Sequence, residues 1–427
     1  MDLKMINFVV LKSKRFICVH LCSSVAKFCL VVLGSGFFLS LSAGSWADTT
    51  ASWLDIPSGA KQAAFSGSLG ALVDDVEALR VNPAGLADLS GDQVIALHNQ
   101  WAQNLTMEHF AYGHGFGTSG IALGGDYINF GQVALYDLSP LGAPQANGTF
   151  SPLGMDFYAG AGLEVAPGLS LGAEGKILFQ SLVSGTTSSA EAIDLGILYR
   201  HRPTGLSGGL ALLNLGTTLD GADLPLALHL SAAYQTELAV GHEIALGADG
   251  GLALNDKNGS TVSVGAEYLY QGLAALRVGY RLISSGQLGG LSGLSAGVGL
   301  NLGPTEWSYA LTTLGELGVG HQVSLSYRFG SAGQRPLTAP TGLVKGWEDG
   351  KIILSWDPAR EVGVAGYNFY LKKPKDQTFK KVNARPLQDN TVTLEHIKNG
   401  VTYQFGITTV TRDGRESSMS TLTMEPQ

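Results

Sequence analysis

Apolar residues occupy every second position in one short stretch after another between about Asp92 and Phe329. The last stretch has Val323, Leu325, Tyr327 and Phe329 on one face and Ser324, Ser326 and Arg328 on the other. Because strand side chains alternate between two faces, a period of two predicts strands. At roughly 17 residues for each strand and its connection, this region holds about fourteen strands.

Two architectures use such strands, a soluble sandwich and a membrane barrel. The strands run to about ten residues, the length a tilted strand needs to cross hydrocarbon. Tyrosines cluster near strand ends, as in an aromatic girdle: Tyr268, Tyr270, Tyr280 and Tyr327. We therefore predict an all-β fold, in which residues 92–330 form a transmembrane antiparallel β-barrel in the outer membrane of a Gram-negative bacterium.

The first 47 residues have the features of a secretory signal peptide. A basic region precedes the apolar segment 28–41, and Ser45-Trp46-Ala47 supplies the small residues that a signal peptidase needs. The alternative is an uncleaved anchor, which the interrupting Gly34, Ser35 and Gly36 argue against. All three cysteines precede residue 30. The exported chain is therefore expected to have no disulfides and no thiolate chemistry.

Charge and glycine separate the rest of the chain into two regions. Residues 48–336 carry a net charge of −14 and 47 of the 58 glycines, whereas residues 337–427 carry +2. The acidic balance excludes nucleic acid as a partner, because phosphate binding needs a basic face. Small residues in strands have two interpretations: they let a barrel coil and close, or they clear a path for a ligand through the wall.

The segment before the first strand, 48–91, does not alternate. It contains Ile56-Pro57-Ser58-Gly59-Ala60, a helix-compatible run from Ala63 to Val73, Asp74-Asp75-Val76-Glu77-Ala78, and Asn82-Pro83-Ala84-Gly85-Leu86. In this order the motifs resemble the amino-terminal signature of the PorV/PorQ family, a branch of the FadL-type outer-membrane transporters. One departure is Arg80-Val81, where the family usually has an aromatic pair.

The resemblance implies that this segment is a hatch folded back into the barrel. It assigns Asn82, Pro83, Ala84 and Gly85 to the hatch, with Asp74 and Asp75 as polar anchors. Pro83 fixes φ, and Gly85 permits a left-handed residue at the turn. The alternative is a rigid plug with no gating role.

The tail is predicted to contain a linker, 331–339, followed by a fibronectin type III domain, 340–427. Ile352 to Trp356 resembles strand B with its buried Trp, and 366–371 resembles strand C. The predicted core residues are Trp356, Tyr367, Leu394 and Tyr403, the last in a tyrosine corner. Lysines 372, 373, 375, 380 and 381 make one edge basic, either as a solvated face or as a docking patch.

No motif for catalysis, a metal or a cofactor is found in the sequence. His98, His109 and His114 lie close together in sequence, but alternation places His109 and His114 on opposite faces. We therefore expect a protein that is not an enzyme and has no cofactor.

Two functions remain open. The first is passive transport of hydrophobic small molecules, with membrane lipid around the barrel and residues 138–153 contributing an apolar groove near the outer loops. The second is a non-transporting accessory role in secretion or surface assembly, as the resemblance implies for type IX-like systems. An even strand number places the tail module in the periplasm, where cell-wall glycan or secretion-system proteins are its candidate partners.

Overall fold

The structure is a computed structural model that describes residues 49–139, 142–202, 204–239, 241–255, 259–283, 292–330, 337, 339–348, 351–357, 364–374, 376–394, 401–411 and 414–424. These residues divide into two compact units, 49–330 and 337–424. The predicted signal peptide, 1–47, and most of the predicted linker lie outside the described residues, so both stay predictions.

The first unit contains sixteen strands among its described residues. They are β1 (Asp92–Gln100), β2 (Thr106–Gly115), β3 (Ser119–Asn129), β4 (Val133–Leu138), β5 (Pro144–Phe150), β6 (Leu153–Ala166), β7 (Leu169–Val183), β8 (Thr186–His201), β9 (Leu206–Gly216), β10 (Ala227–Ala239), β11 (His242–Ala253), β12 (Thr261–Tyr270), β13 (Ala274–Ile283), β14 (Leu294–Leu302), β15 (Thr305–Thr313) and β16 (Val319–Phe329). All except β4 and β5 close into one antiparallel barrel, in which β1 pairs with both β2 and β16. The prediction of a fourteen-stranded barrel is confirmed.

The barrel is apolar outside and polar or small inside. On β16, Val323 and Tyr327 are 46% and 42% exposed, whereas Ser324 and Ser326 are buried. The same alternation recurs on the other strands, so a belt of exposed apolar side chains surrounds the barrel. Lipid is the environment in which such a belt is stable, and closure leaves no unpaired strand edge in it.

The two rims of the barrel differ. The proximal rim, where β1 begins and β16 ends, has turns of two to four residues. Apart from the two-residue turn between β7 and β8, the distal rim has longer connections, including 217–226 and the loop 130–152, which contains the hairpin of β4 and β5. Two short 3₁₀ helices, Ala102–Asn104 and Gly315–Leu317, also lie on distal connections.

Residues 49–91, here called the plug, fill the lumen. The plug starts at the distal rim, where Thr49 bridges to Asp223, and leaves at the proximal rim, where Leu89 packs under Gly115. Its helices are Ser52–Asp55, Ala60–Ala64, Ala78–Val81 and Pro83–Asp88. No helix in the described part of the chain is long and apolar enough to span a membrane.

The helix-compatible run from Ala63 to Val73 does not form one continuous helix. The helix that begins at Ala60 ends at Ala64, and turns follow as far as residue 72. Ser66 and Gly67 have φ values of 53° and 88°, which no right-handed helix accommodates. Phe65 and Leu69 instead pack, wholly buried, in the largest apolar cluster of the lumen.

The second unit is an immunoglobulin-like β-sandwich. Its strands are β17 (Val344–Glu348), β18 (Lys351–Ser355), β19 (Val364–Lys372), β20 (Lys380–Lys381), β21 (Thr391–Leu394), β22 (Tyr403–Thr411) and β23 (Ser420–Met424). One sheet has the order β17-β18-β21, and the other has the order β20-β19-β22-β23. A separate hydrophobic core lies between the sheets.

Candidate functional site

Asn82 is wholly buried in the lumen and caps the short helix Pro83–Asp88. Its Oδ1 accepts a hydrogen bond from the N–H of Ala84 at 3.1 Å. Its Nδ2 donates to the carbonyl oxygens of Gly70 at 3.3 Å and Ile197 at 3.2 Å. One side chain therefore closes the turn, ties it to an earlier part of the plug and joins both to β8 of the wall.

Pro83, Ala84 and Gly85 are buried with Asn82. The expectation that Gly85 permits a left-handed residue is not met, because its φ is not positive. Glycine is required there for space: a Cβ atom would lie 2.6 Å from the carbonyl oxygen of Val73. The predicted turn residues are thus together, but Gly85 serves a close backbone approach.

The two predicted polar anchors have different environments. Asp75 is buried, its Oδ1 accepts a hydrogen bond from the N–H of Glu77 at 3.0 Å, and its carboxylate lies 3.9 Å from Lys61 Nζ. Both of these partners belong to the plug. Asp74 is exposed and has no hydrogen bond or ion pair with any described residue. The structure therefore does not bring either aspartate into an ion pair with the wall.

Arg80 makes a buried ionic contact between the plug and the wall. Its Nη1 lies 3.2 Å from Asp156 Oδ2, and its Nε lies 3.5 Å from Asp126 Oδ2. Nη2 donates to the carbonyl oxygen of Leu54 at 2.9 Å, and the guanidinium lies over the ring of Tyr158. One cation therefore joins two segments of the plug to strands β3 and β6.

Further polar side chains extend this contact along the wall. His109 Nδ1 lies 2.7 Å from Asp126 Oδ1 and 2.8 Å from the Tyr158 hydroxyl. We use the name wall cluster for these wall side chains together with Arg80 of the plug. Its members are Arg80, His109, Asp126, Asp156, Tyr158, Glu174, Lys176, Asp194 and Asn214. It contains four carboxyl groups, one guanidinium group and one ammonium group.

Sequence reasoning missed Arg80 as the anchor. The sequence did contain a signal for this role of Arg80. Arg80 and Val81 stand where the family resemblance predicts two aromatic residues. An arginine among small and apolar residues needs an acidic partner when it is buried. Its partners, Asp126 and Asp156, lie on strands whose pairing the sequence does not specify.

The inward-facing glycines explain how the plug fits. At Gly172, Gly196 and Gly279 a Cβ atom would lie 2.1–2.5 Å from an atom of the plug. The same holds, with plug atoms closer than 3 Å, on most of the barrel strands: Gly113, Gly115, Gly120, Gly162, Gly209, Gly247, Gly265 and Gly297. This band of glycines makes room for the plug's backbone. Neither of the two interpretations drawn from the sequence, barrel closure and a ligand path through the wall, included this role.

A bulge interrupts the wall between β8 and β9. The register shifts between Ile193 and Leu195, and Asn214 opposite them has a φ of 63°. The extra residue turns the Asn214 side chain inward, where its Oδ1 accepts a hydrogen bond from Lys176 Nζ at 2.9 Å. Lys176 Nζ also lies 2.6 Å from Asp194 Oδ2. A bulge of this kind bends the strand and breaks its pairing locally.

Beside the bulge, the outer face of the wall contains a groove of about 830 Å³. Its lining residues come from β3, β6, β7, β8 and the end of β9: Leu123, Gly124, Phe157, Tyr158, Ala159, Gly175, Lys176, Ile177, Glu191, Ala192, Ile193, Leu215, Gly216 and Thr217. Most of them are apolar and face outward. Tyr158 and Lys176, whose side chains face inward as members of the wall cluster, also contribute to the lining of the groove.

The three histidines do not form one site. His109 is buried inside the barrel, whereas His98 is exposed and pairs with Glu108. His114 is half-buried beside Asp92, near the proximal rim. Among the described residues, no group of three or more His, Cys, Asp or Glu side chains is placed to hold a metal ion.

In the sandwich, Trp356, Tyr367, Leu394 and Tyr403 are all buried in the core between the two sheets. Lys372, Lys373, Lys380 and Lys381 lie on or beside β19 and β20, and Lys375 lies outside the described residues. Lys380 pairs with Asp376 at 2.6 Å, and Lys372 lies over the ring of Phe379. These two contacts occupy part of the basic edge within the module itself.

Residues 44–194 match a family described as "Uncharacterised protein family (UPF0164)". No curated protein matches the chain.

Several solved structures are similar in fold to one of the two units. The Pseudomonas putida toluene transporter TodX is 12% identical with a TM-score of 0.41, covering 64% of this chain and 98% of its own. The Acinetobacter baumannii outer membrane protein Omp33 is 10% identical with a TM-score of 0.37, covering 56% and 98%. A Fn3-like protein from Clostridium thermocellum is 19% identical with a TM-score of 0.19, covering 21% and 95%. Similarity at this level carries no argument about function.

Proposed function

We propose that this chain is an outer-membrane barrel that admits small hydrophobic molecules by passive transport, with the plug acting as its hatch. The observation that carries the proposal is the outer groove. Its lining is mostly apolar with a few polar groups, which is the chemistry of sites for small hydrophobic molecules. An apolar solute in the lipid has direct access to such a groove.

The groove and the hatch share a residue. Tyr158 lines the groove, and the Arg80 guanidinium lies 5.6 Å from the centre of the Tyr158 ring. A solute that displaces this ring also disturbs the cation–π contact of the plug's anchor. We infer that occupation of the groove weakens the hold on Arg80, and that the turn Asn82-Pro83-Ala84-Gly85 moves with it.

The orientation of the barrel follows from its rims. Bacterial barrels have short periplasmic turns and longer external loops. We therefore propose that the proximal rim faces the periplasm and that the C-terminal unit, as a fibronectin type III module, lies there. The four predicted core residues support this identity, because they all pack between the two sheets.

The test is uptake of a fluorescent hydrophobic probe into liposomes that contain the purified protein. Gly175 faces the groove, and a Cβ atom there has nothing within 4 Å, so Gly175→Leu starts a side chain into the open space of the groove. We expect this variant to abolish saturable uptake, and removal of residues 59–88 to make uptake unsaturable. Gly250→Leu, on the outer face of β11, is the matched control. Equal uptake by wild type and Gly175→Leu would reject the proposal.

A second candidate is a non-transporting accessory role in secretion or surface assembly. The observation that favours it is the separate C-terminal module, which a simple pore does not need. If this role is correct, removal of residues 337–427 disrupts a complex that cross-linking recovers from the native membrane. A protein that is recovered alone, with or without the module, would count against it.

A further inference from the structure

Glu191 lies at the edge of the apolar belt on β8. Toward the proximal rim the outward residues of this strand are Ile193, Leu195, Ile197 and Tyr199, each 43–48% exposed. Toward the distal rim they are Ser189 and Thr187, which are also exposed. The change from apolar to polar residues places Glu191 at the level where hydrocarbon gives way to lipid head groups.

The Glu191 carboxylate is available to a ligand. Among the described residues it has no hydrogen-bond donor or cation as a partner, although its backbone N–H is bonded to the Thr217 hydroxyl at 3.0 Å. Both residues line the groove at its distal edge. The apolar lining, including Phe157, Ile177 and Ile193, is shared with the lipid-facing belt.

The floor of the groove adds no free positive charge. The Lys176 ammonium group is neutralised by Asp194 at 2.6 Å and lies 3.7 Å from Glu174. The Glu174 carboxylate is buried and has no hydrogen-bond partner among the described residues. An anion entering from the groove therefore meets no unpaired cation among these side chains, because Lys176 pairs with Asp194 and Arg80 pairs with Asp156.

We propose that the groove selects single-tailed amphiphiles with a cationic head, and that Glu191 is the residue that recognises the head. The tail lies along Phe157, Ile177 and Ile193, and the ammonium group pairs with Glu191 at the head-group level. This assignment rests on the transport function proposed above, and it adds the sign of the charge that the site accepts.

The experiment compares three twelve-carbon ligands that differ only in the head: dodecylamine, 1-dodecanol and dodecanoate. Each radiolabelled compound is titrated into nanodiscs that contain the full-length protein. Binding to the Gly175→Leu variant is subtracted to remove partition into lipid, and Gly250→Leu verifies that a leucine elsewhere on the belt has no effect. Glu191→Gln removes the charge but keeps the shape of the side chain.

We expect the order amine, alcohol, carboxylate, with the amine favoured over the alcohol by about two- to fivefold, as for an exposed ion pair. Glu191→Gln should bring the amine to the level of the alcohol. Dodecanoate binding as tightly as dodecylamine, or an amine preference that survives Glu191→Gln, overturns the charge assignment and leaves transport intact. If no ligand binds wild type better than Gly175→Leu, the proposed transport site itself fails.

Discussion

Arg80 of the plug lies 3.2 Å from Asp156 of the barrel wall, and both side chains are almost completely buried. Buried ion pairs contribute little net stability, but removing one partner leaves the other charge unpaired in a medium of low dielectric constant. The contact therefore acts mainly as a position-specific restraint: it fixes where in the lumen the plug sits.

Replacement of Arg80 by Met should loosen the plug. Asp126 and Asp156 would lose their cation, at a cost of about 3–5 kcal/mol. We expect faster amide hydrogen exchange in residues 75–88, read by mass spectrometry. Adding Asp126→Asn and Asp156→Asn removes the unpaired charges and should restore part of the protection from hydrogen exchange. Unchanged exchange in Arg80→Met would show that the anchor lies elsewhere.

Two glycines of β7, Gly172 in the glycine band and Gly175 on the outer face, provide a prediction and its control. In Gly172→Ala the new Cβ would lie 2.2 Å from the backbone nitrogen of Ala84, whereas in Gly175→Ala it meets nothing within 4 Å. Overpacking of this kind costs about 1–3 kcal/mol. Limited proteolysis should therefore cut the plug faster in Gly172→Ala only. In a chain that lacks residues 59–88, the two variants should have the same heat-shifted gel mobility as their parent.

Asn82→Ala should increase the flux of a hydrophobic probe. The change removes the cap on Ala84 and the bonds to Gly70 and Ile197, and each buried group left unpaired costs about 1–3 kcal/mol. The matched control is Asp74→Ala, because Asp74 is exposed and makes no hydrogen bond or close ion pair with a described residue. Equal flux in wild type, Asn82→Ala and Asp74→Ala would favour a rigid plug over a hatch.

The C-terminal module should unfold independently of the barrel. Trp356 is 2% exposed and packs edge-on against Tyr367 in the core of the sandwich. Trp356→Ala should lower the module's free energy of unfolding by about 3–5 kcal/mol. The barrel should keep its heat-shifted gel mobility, because its described core clusters contain no residue of the module. Loss of that shift in the variant would contradict independent folding.

Tyr370 should make the module's stability depend on alkaline pH. Burial of its phenol, together with the hydrogen bond it donates to Glu416 at 2.6 Å, raises the pKa of Tyr370 to about 12. Because the folded pKa exceeds the ordinary value of 10.0, the contribution is present below that value and is lost as the pH rises towards about 12. Urea unfolding across this window should show a decline that Tyr370→Phe lacks. The same decline in both proteins would assign it to other groups.

Strand alternation was sufficient to predict the barrel, because a period of two is a local property and lipid requires one face to be apolar. The turn at Asn82 was equally local. Arg80 was missed because its meaning depends on Asp126 and Asp156, which only the closed barrel brings to it.

The bulge at Asn214 was missed for a related reason. Nothing in the local pattern of β9 distinguishes an inserted residue from a change of face, and the partner that gives Asn214 its role, Lys176, belongs to a strand two positions away in the barrel. The glycines of the band likewise look like ordinary small residues until the plug is placed against them.

The pairing of β1 with β16 has a consequence for assembly. Gln93 Nε2 donates to the Ser326 hydroxyl at 2.8 Å across a sequence separation of 233 residues. The first strand of the barrel therefore has one edge unpaired until the last strand is available. Contacts of such long range make folding slow. During that delay the plug, which precedes every strand in the chain, is already present. The wall can therefore form around the plug and needs no opening large enough for the plug to enter later.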